Sequence, residues 1–334
     1  MKKFIVVTSI NAPTACMQAF AEGAQKHRFE IIVAGDKKSP QSYELPGSIF
    51  LDVEHQIGIF PALAKKLPFN SYARKNIGYL KAIQAGAELI IDTDDDNAPY
   101  ETFWKNRDRT VEGRHIEHQG WVNAYAYFSN SQIWPRGLPL DEVRTPSSRP
   151  DPTGIAKFVS PVQQGLANDN PDVDAVYRLL APLPVQFEPG ADVILSQGAW
   201  CPFNSQNTFW WPEAFPLLYL PSYCSFRMTD IWRSFIAQRI MWANDWLLSF
   251  HEATVYQDRN EHDLMRDFAD EVPGYLHNRK ICETLAALDL PAGAAHIPAN
   301  LRKCYDALVQ IKVVGADELH LIDLWNAAME QMSK

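Results

Sequence analysis

The fold of this chain is decided by the stretch Leu89-Ile90-Ile91-Asp92-Thr93-Asp94-Asp95-Asp96-Asn97, in which a short apolar strand ends in four aspartates within five residues. Carboxylates at such close spacing repel one another unless a cation neutralises them. Oxygen ligands of this kind suit Mg²⁺ or Mn²⁺, which keep several waters and take phosphate oxygens as further ligands. The stretch therefore predicts a metal site at a strand end, and the alternative is a solvated acidic turn.

The residues before this stretch alternate between apolar strands and amphipathic helices. The pattern predicts strands at residues 4–8, 29–34, 48–52 and 89–91, and helices at residues 14–25 and 70–87. Such alternation predicts a doubly wound α/β sheet, in which ligands bind at the carboxyl ends of the strands. The loops after the first two strands therefore supply three candidate nucleotide-binding residues, Thr8, Asn11 and Asp36.

Composition excludes several broad functional classes. The 334 residues carry 31 Lys and Arg against 40 Asp and Glu, and the net charge of -9 argues against binding to nucleic acids or anionic membranes. The five cysteines never occur at CxxC spacing, which favours reduced thiols in a cytoplasmic protein and offers no zinc site. The apolar run that follows the first three residues is too short for a signal peptide or a membrane span. We therefore expect a soluble, cytoplasmic protein.

The second half of the chain changes character twice. Residues 98–225 are rich in loops, with short strands predicted at 121–128, 185–187 and 217–220. An amphipathic helix is then predicted to start at Thr229 or Asp230, and the chain after residue 262 reads as helical. We expect a main domain over residues 1–262 and a helical appendage over 263–334, whose last helix runs from about 316 to 332.

Several stretches between residues 4 and 262 carry a family resemblance. They are VAGDKK (33–38), YARKNIGY (72–79), DDDN (94–97), QGL (164–166), DVDA (172–175), PFNSQNT (202–208) and HEATVYQ (251–257). Together they resemble the STELLO-type glycosyltransferases, a family distantly akin to reversibly glycosylated polypeptides. The resemblance implies a GT-A fold, the Rossmann-like fold of nucleotide-diphospho-sugar transferases. It also implies a nucleoside diphosphate sugar, UDP-linked, as the donor.

The GT-A resemblance assigns roles to residues 94–96, which we call the acidic box. Asp94 and Asp96 are predicted to hold Mn²⁺ or Mg²⁺, with Asp94 also on the nucleotide, while Asp95 faces the donor sugar. Arg74 and Lys75 begin the helix that leads to this strand, and they are predicted to contact the diphosphate or the base. A solvated helix face is the alternative for the basic pair.

The catalytic base is predicted to be Asp230, because inverting GT-A enzymes place a carboxylate well downstream of the acidic box to accept the acceptor proton. Capping of a helix start explains an aspartate there equally well. Asp172 and Asp174 are rivals, although their setting also suits a turn.

A third metal ligand and an acceptor site complete the predicted constellation. His251 is the preferred metal ligand, since GT-A domains often supply a histidine near their end, and His262 is its rival. Amides beside aromatic rings suit the recognition of sugar hydroxyls, whereas an ordinary turn is the alternative. The predicted acceptor or sugar residues are Asn204, Gln206, Trp210 and Asp172.

These assignments predict a metal-dependent glycosyltransferase that moves a sugar from a UDP-linked donor to a glycan or related acceptor. Two alternatives stay open at this point. A UDP-sugar mutase of the reversibly glycosylated polypeptide kind would interconvert ring forms without an acceptor and carry a self-glycosylated arginine. A catalytically silent scaffold would keep the fold and bind a partner instead.

Overall fold

The computed structural model describes residues 1–259 and 263–332, so that His262 lies outside the described residues. The strands are β1 (Lys3–Thr8), β2 (Phe29–Ala34), β3 (Ser48–Leu51), β4 (Leu89–Thr93), β5 (Asn97–Pro99), β6 (Thr110–Ile116), β7 (Gly120–Trp121), β8 (Gly154–Val159), β9 (Val162–Asn168), β10 (Val193–Leu195), β11 (Ala199–Trp200), β12 (Asn207–Trp210) and β13 (Leu248–Gln257). The helices are α1 (Ala15–His27), α2 (Val53–Ile59), α3 (Pro61–Ala64), α4 (Lys75–Gln84), α5 (Ala175–Leu180), α6 (Thr229–Trp242), α7 (Leu264–Ala286), α8 (Ile297–Gln310) and α9 (Glu318–Met332).

The first four strands form a wholly parallel part of the main sheet, in the order β3-β2-β1-β4. The apolar residues of β1, β2 and β4 are buried on both faces because helices cover the sheet, as their continuous apolar runs predict, whereas the edge strand β3 is partly exposed. Helix α4 packs closely at Gly78, where a Cβ atom would lie 2.7 Å from Cγ1 of Val6. Close packing of helix on strand explains this glycine.

The remaining strands make the sheet mixed. Beyond β4 the order continues β12-β9-β13-β10-β6-β8, and β12 runs antiparallel to both of its neighbours. A large α/β sheet with helices agrees with the predicted GT-A-like fold class. Two of the predicted short strands are wrong, because residues 124–127 and 212–218 form 3-10 turns. Residues 185–187 contribute only an isolated bridge from Val185 to Asp169.

The start of α4 also differs from the prediction. Asn70, where the helix is predicted to begin, adopts a positive φ of 51° and lies outside it. Ser71 instead accepts the backbone N–H of Ala73 at 3.3 Å and begins a 3-10 turn that leads into α4. The resulting bend brings the residues from Ser71 to Arg74 to the carboxyl edge of the sheet.

The helices after residue 262 pack into the same core as the sheet. Trp325 on α9 is fully buried, and its indole N–H donates to the carbonyl of Pro216 at 3.0 Å. Trp232 on α6 donates to the side chain of Asn278 on α7 at 2.8 Å. One hydrophobic cluster runs from Phe4 to Trp325. The boundary at residue 262 stays a prediction, but the helices beyond it have no separate core among the described residues.

Glu318, the first residue of α9, ties this last helix to the loop before α6. Its side chain is fully buried and accepts hydrogen bonds from the hydroxyl of Tyr219 and from the backbone N–H groups of Ser222 and Tyr223, at 2.9 and 2.7 Å. Burial raises the pKa of this carboxyl. The buried carboxylate therefore has three hydrogen-bond donors, and each of these donors has the carboxylate as its acceptor.

We expect Glu318→Ala to lower the free energy of unfolding by about 1–3 kcal/mol, because buried donors lose their acceptor. Urea unfolding followed by circular dichroism would measure this. Asp323→Ala on the same helix is the control, since Asp323 forms an exposed ion pair with Arg302 that contributes about 1 kcal/mol or less. Equal effects of the two substitutions would contradict the anchoring role.

None of the helices in the part of the chain that the structure describes has the length and apolar content needed to cross a bilayer.

Candidate active site

A cavity of about 550 Å³ opens at the carboxyl ends of β1, β2 and β4. The loops that follow these strands and the turn before α4 form most of its wall, as expected for a doubly wound sheet. Its lining residues include Thr8, Ser9, Ile10, Asn11, Asp36, Lys38, Asn70, Ser71, Tyr72, Arg74, Asp94, Asp95, Asp96, Arg136, Asp172, Gln206, Phe226, Arg227, Asp230, Gln257 and Arg259.

This wall brings together most of the side chains that the sequence analysis selected. Ten of them line the cavity: Thr8, Asn11, Asp36, Arg74, Asp94, Asp95, Asp96, Asp172, Gln206 and Asp230. Four are absent from the wall that the described residues form: Lys75, Asn204, Trp210 and His251. The predicted nucleotide-binding and acidic groups thus share one cavity, while the predicted third metal ligand lies elsewhere.

Asp95 joins the acidic box to the loop after β1. Its Oδ2 accepts hydrogen bonds from the hydroxyl of Ser9 and, at 3.3 Å, from the amide of Asn11. Its backbone carbonyl accepts from the hydroxyl of Thr14, the N-cap of α1, at 2.6 Å. These contacts fix where the carboxylate points, and Asp95 remains part of the cavity wall.

The carboxylates of Asp94 and Asp96 also accept hydrogen bonds from residues outside the acidic box. Asp94 Oδ1 accepts the hydroxyl of Tyr72 at 2.8 Å, and Asp96 Oδ1 accepts the amide of Gln257 at 3.0 Å. Burial raises the pKa of Asp94 to about 7, with Lys75 opposing this and Asp96 adding to it. A cation placed beside these oxygens would stabilise the ionised form of Asp94.

The carboxylates of the acidic box meet only some of the requirements for binding Mg²⁺ or Mn²⁺. Among residues 1–259 and 263–332, no three His, Cys, Asp or Glu side chains are arranged to hold a metal ion. Mg²⁺ is commonly bound by one or two carboxylates together with waters and substrate phosphates. Asp94 and Asp96 fit that lesser requirement, since both line a cavity large enough for a phosphate-bearing ligand.

Lys75 is a structural cation beneath the box. Its side chain is fully buried and lies 2.6 Å from Oδ1 of Asp92 and 3.5 Å from Oδ1 of Asp94. It also donates to the carbonyl of Thr93 at 2.6 Å. The ammonium group neutralises carboxylates in the interior and is absent from the cavity wall that the described residues form, which argues against the nucleotide contact predicted for Lys75. Arg233 lies 2.9 Å from the other oxygen of Asp92, so that Asp92 is a structural residue.

Arg74 reaches the cavity from a buried position. Its Nε donates to Gln56 at 2.9 Å, and its Nη1 lies 3.4 and 3.3 Å from the carbonyls of Ala64 and Leu67. Nη2 is buried and has no hydrogen-bond partner among the described residues. A donor left in this state beside a polar cavity is suited to an anionic ligand.

Arg136 holds two of the predicted carboxylates together. Its guanidinium group lies 2.7 Å from Asp172 and 2.9 Å from Asp230, and all three side chains are largely buried. The backbone N–H groups of Ser205 and Ile231 also donate to Asp230. Burial raises the pKa of Asp230, but Arg136 outweighs it, so the pKa lies below the ordinary aspartate value. Such a carboxylate is a weak base, which argues against the catalytic role predicted for Asp230.

Comparison with known proteins finds a matching family model and two similar proteins. Residues 227–333 match the family described as STELLO glycosyltransferases. The chain is 29% identical over 337 residues to "Probable glycosyltransferase STELLO2" of Arabidopsis thaliana, covering 95% of this chain and 42% of that protein. It is 30% identical over 280 residues to "Probable glycosyltransferase STELLO1" of the same plant, covering 78% and 36%.

The chain resembles the STELLO proteins over most of its length. The family resemblance drawn from the sequence motifs is thereby confirmed, and these names agree with the predicted enzyme class. The chain spans less than half the length of either Arabidopsis relative.

His251 is absent from the cavity wall that the described residues form. It lies on β13, six residues before Gln257, and the pairing of this strand with β9 is irregular between them. Its ring packs edge-on against Phe209, and burial lowers its pKa well below the ordinary value. These observations argue against the metal-ligand role predicted for His251, and Gln257 is the residue of this strand whose side chain donates to Asp96.

Two of the predicted acceptor residues belong to the core. Trp210 is fully buried and packs beneath the guanidinium group of Arg233 at 5.0 Å. Asn204 is 2% exposed and accepts the backbone N–H of Gln206 at 2.9 Å. Neither belongs to the cavity wall that the described residues form, which argues against the acceptor role predicted for them. Gln206 itself does line the cavity, and its side chain accepts the backbone N–H of Asp172 at 3.1 Å.

Several residues of the cavity wall could not be assigned a role from the sequence. Tyr72 and Gln257 lie within the family-like stretches, which pointed to them without assigning them roles. Arg227 precedes the predicted helix start and could have been found there. Arg136 stands alone in a proline-rich loop, and only the fold shows that it meets Asp172 from a position 36 residues away.

Proposed function

We propose that this chain is a metal-dependent glycosyltransferase that transfers a sugar from a UDP-linked donor to a glycan or related acceptor. The observation that carries the proposal is the shared cavity at the carboxyl ends of β1, β2 and β4, whose wall contains both the acidic box and four arginines. The STELLO-type similarity supports transfer as the reaction class.

Anionic groups of the donor would meet both a cation and fixed guanidinium groups. Arg227 is held at 2.8 Å by the fully buried Glu271, and Arg259 at 2.9 Å by Asp267. Both arginines line the cavity, so they would face a bound diphosphate in fixed orientations. We propose that they and Arg74 stabilise the negative charge that grows on the leaving diphosphate.

Asp94 and Asp96 would hold Mn²⁺ or Mg²⁺, and the metal would supply Lewis-acid stabilisation of the leaving diphosphate. Tyr72 and Gln257 orient these two carboxylates through the hydrogen bonds described above. Asp95 is oriented by Ser9 and Asn11, and we propose that it faces the donor sugar. Asp36 accepts the backbone N–H of Ser71 at 3.0 Å, which joins the loop after β2 to the turn before α4 on the nucleotide side.

Calorimetric titration with UDP, GDP and CMP, each with and without Mn²⁺, would test the proposal. We expect UDP to bind only with the metal. Asp94→Asn and Asp96→Asn are each expected to weaken this binding at least thirtyfold, because a charged contact contributes about 2 kcal/mol or more.

Asp323→Asn on α9 is the control for these substitutions, since it removes a carboxylate from an exposed ion pair. Binding of UDP that ignores the metal and both box variants would contradict the metal-dependent mechanism. Failure of every nucleotide to bind would overturn the transferase proposal and favour a silent scaffold.

A further inference from the structure

Phe226 is an aromatic residue that the cavity leaves uncovered. Its side chain is 58% exposed although it lines the cavity, whereas Trp210 and Trp232 are buried in the core. A single exposed apolar residue on an open surface needs no explanation. Phe226 instead lies in the wall of a cavity that charged side chains also line, where it offers an apolar face to a bound ligand, as does the exposed Ile10.

The backbone that carries Phe226 is held firmly. The hydroxyl of Ser225 donates to the carbonyl of Asp270 on α7, and the N–H of Met228 donates to Ser225 at 2.9 Å. The next residue, Arg227, is clamped by Glu271 through two N–H groups at 3.0 and 2.8 Å. The ring is therefore presented by a short 3-10 turn that is fixed on both sides to a long helix.

The ring also lies close to the acidic box. Phe226 meets Tyr72 edge-on, with ring centroids 6.3 Å apart and an interplanar angle of 76°. Tyr72 in turn donates its hydroxyl to Asp94 at 2.8 Å. Only one residue, Tyr72, thus separates the exposed ring from the carboxylate proposed to hold the metal.

We propose that Phe226 is the stacking platform for a sugar ring in this cavity. The inference rests on the proposed function, because it uses the sugar-bearing substrates of a glycosyltransferase. A pyranose has one face of C–H groups and a rim of hydroxyls. The Phe226 ring would cover the apolar face, while cavity residues such as Gln206 and Asp172 would meet the hydroxyl rim. The aromatic contact expected from Trp210 is thereby assigned to Phe226.

Titration of the full chain with Mn²⁺ and two kinds of probe would test this role. UDP is compared with UDP-glucose, UDP-galactose and UDP-xylose to report on a donor sugar. Cellobiose and lactose, added in the presence of UDP, report on an acceptor sugar. The variants are Phe226→Ala and Phe226→Trp, and Leu276→Ala is the control because Leu276 is 69% exposed outside the cavity wall.

We expect UDP to bind all four proteins within twofold. The sugar-bearing probe that the native chain prefers should lose at least tenfold in affinity with Phe226→Ala, and Phe226→Trp should stay within threefold of native. A loss confined to the UDP-sugars would place the donor sugar on the ring, and a loss confined to the disaccharides would place the acceptor there.

Native-like sugar affinity in Phe226→Ala would overturn the proposal, as would a native chain to which no sugar adds affinity beyond UDP. Loss of UDP binding in Phe226→Ala with intact folding would also overturn it, since the ring would then serve the nucleotide. If the native chain bound no nucleotide but bound a saccharide through Phe226, the proposed transferase would fail and the sugar platform would stand.

Discussion

Lys75→Met is expected to lower the free energy of unfolding by about 3–5 kcal/mol, the usual effect of removing one partner from a buried ion pair. The ammonium group is fully buried, 2.6 Å from Asp92 and 2.6 Å from the carbonyl of Thr93. Methionine would fill a similar volume but leave the negative charge of Asp92 with only Arg233 to balance it. Urea unfolding monitored by tryptophan fluorescence would measure the loss.

The matched control is Lys81→Met on the same helix. Lys81 donates only to Gln84 among the contacts the structure gives it, and this hydrogen bond lies at the surface. We expect its substitution to change stability by no more than about 0.5 kcal/mol. If the Lys75→Met protein were as stable as the native chain, the ion pair between Lys75 and Asp92 would contribute nothing to stability.

Arg136→Met is expected to lower the free energy of unfolding at pH 7 by about 3–5 kcal/mol, because the substitution leaves two carboxylates in the cavity wall without their shared cation. Arg136 is 6% exposed and hydrogen-bonded to both Asp172 and Asp230. In the native chain the lowered pKa of Asp230 stabilises the fold above an ordinary aspartate pKa of about 4, and that contribution is lost as the pH falls through the folded-state value.

Without Arg136 the largest cause that lowers the pKa of Asp230 is lost, so we expect this pKa to rise, although Arg233 and the backbone N–H of Ser205 still lower it. The ionised carboxyl then contributes less to the stability of the variant at neutral pH, and the variant loses less stability when this carboxyl is protonated as the pH falls. The stability difference between native chain and variant should therefore be largest at pH 7 and smaller at pH 4. Urea unfolding at both pH values would show this, with the exposed Arg302→Met as the control. A difference that grows toward pH 4 would contradict the assigned pairing.

The acidic box and its strand could be predicted because several signals agree there. Residues 89–93 are apolar enough to form a buried parallel strand, and the carboxylates follow at the edge where ligands of such sheets bind. The loops after β1 and β2 obey the same rule, which is why Thr8, Asn11 and Asp36 all line the cavity. Local pattern and global topology give the same answer in this half of the chain.

The strands in the middle of the sheet could not be predicted because their buried residues are polar. Six of the seven residues of β9 are buried, yet its sequence is VQQGLAN. Gln163 donates to the carbonyl of Asp108 at 2.7 Å, and Gln164 to that of Asn207 at 3.1 Å. Amides that satisfy one another can replace apolar side chains in a core. Hydrophobic periodicity does not detect this kind of strand.

The roles of individual charges depended on partners that are distant in sequence. Lys75 and Asp230 both stand where a ligand contact would be expected, and the fold gives each a buried counter-ion instead. Arg233 meets Asp92 from 141 residues away. A single sequence shows that a charge is present, but the choice between binding a ligand and neutralising a neighbour is made by the packing.

The anchoring of the loop before α6 by the last helices has a thermodynamic consequence. Glu271 fixes Arg227, and Glu318 fixes the residues that lead to Phe226. Occupancy of the cavity and docking of α7 and α9 are therefore linked equilibria, so that a ligand which binds the cavity should slow amide hydrogen exchange in these helices. By the same reciprocity, a substitution that weakens the docking of α7 or α9 would lower the affinity of the cavity for its ligand.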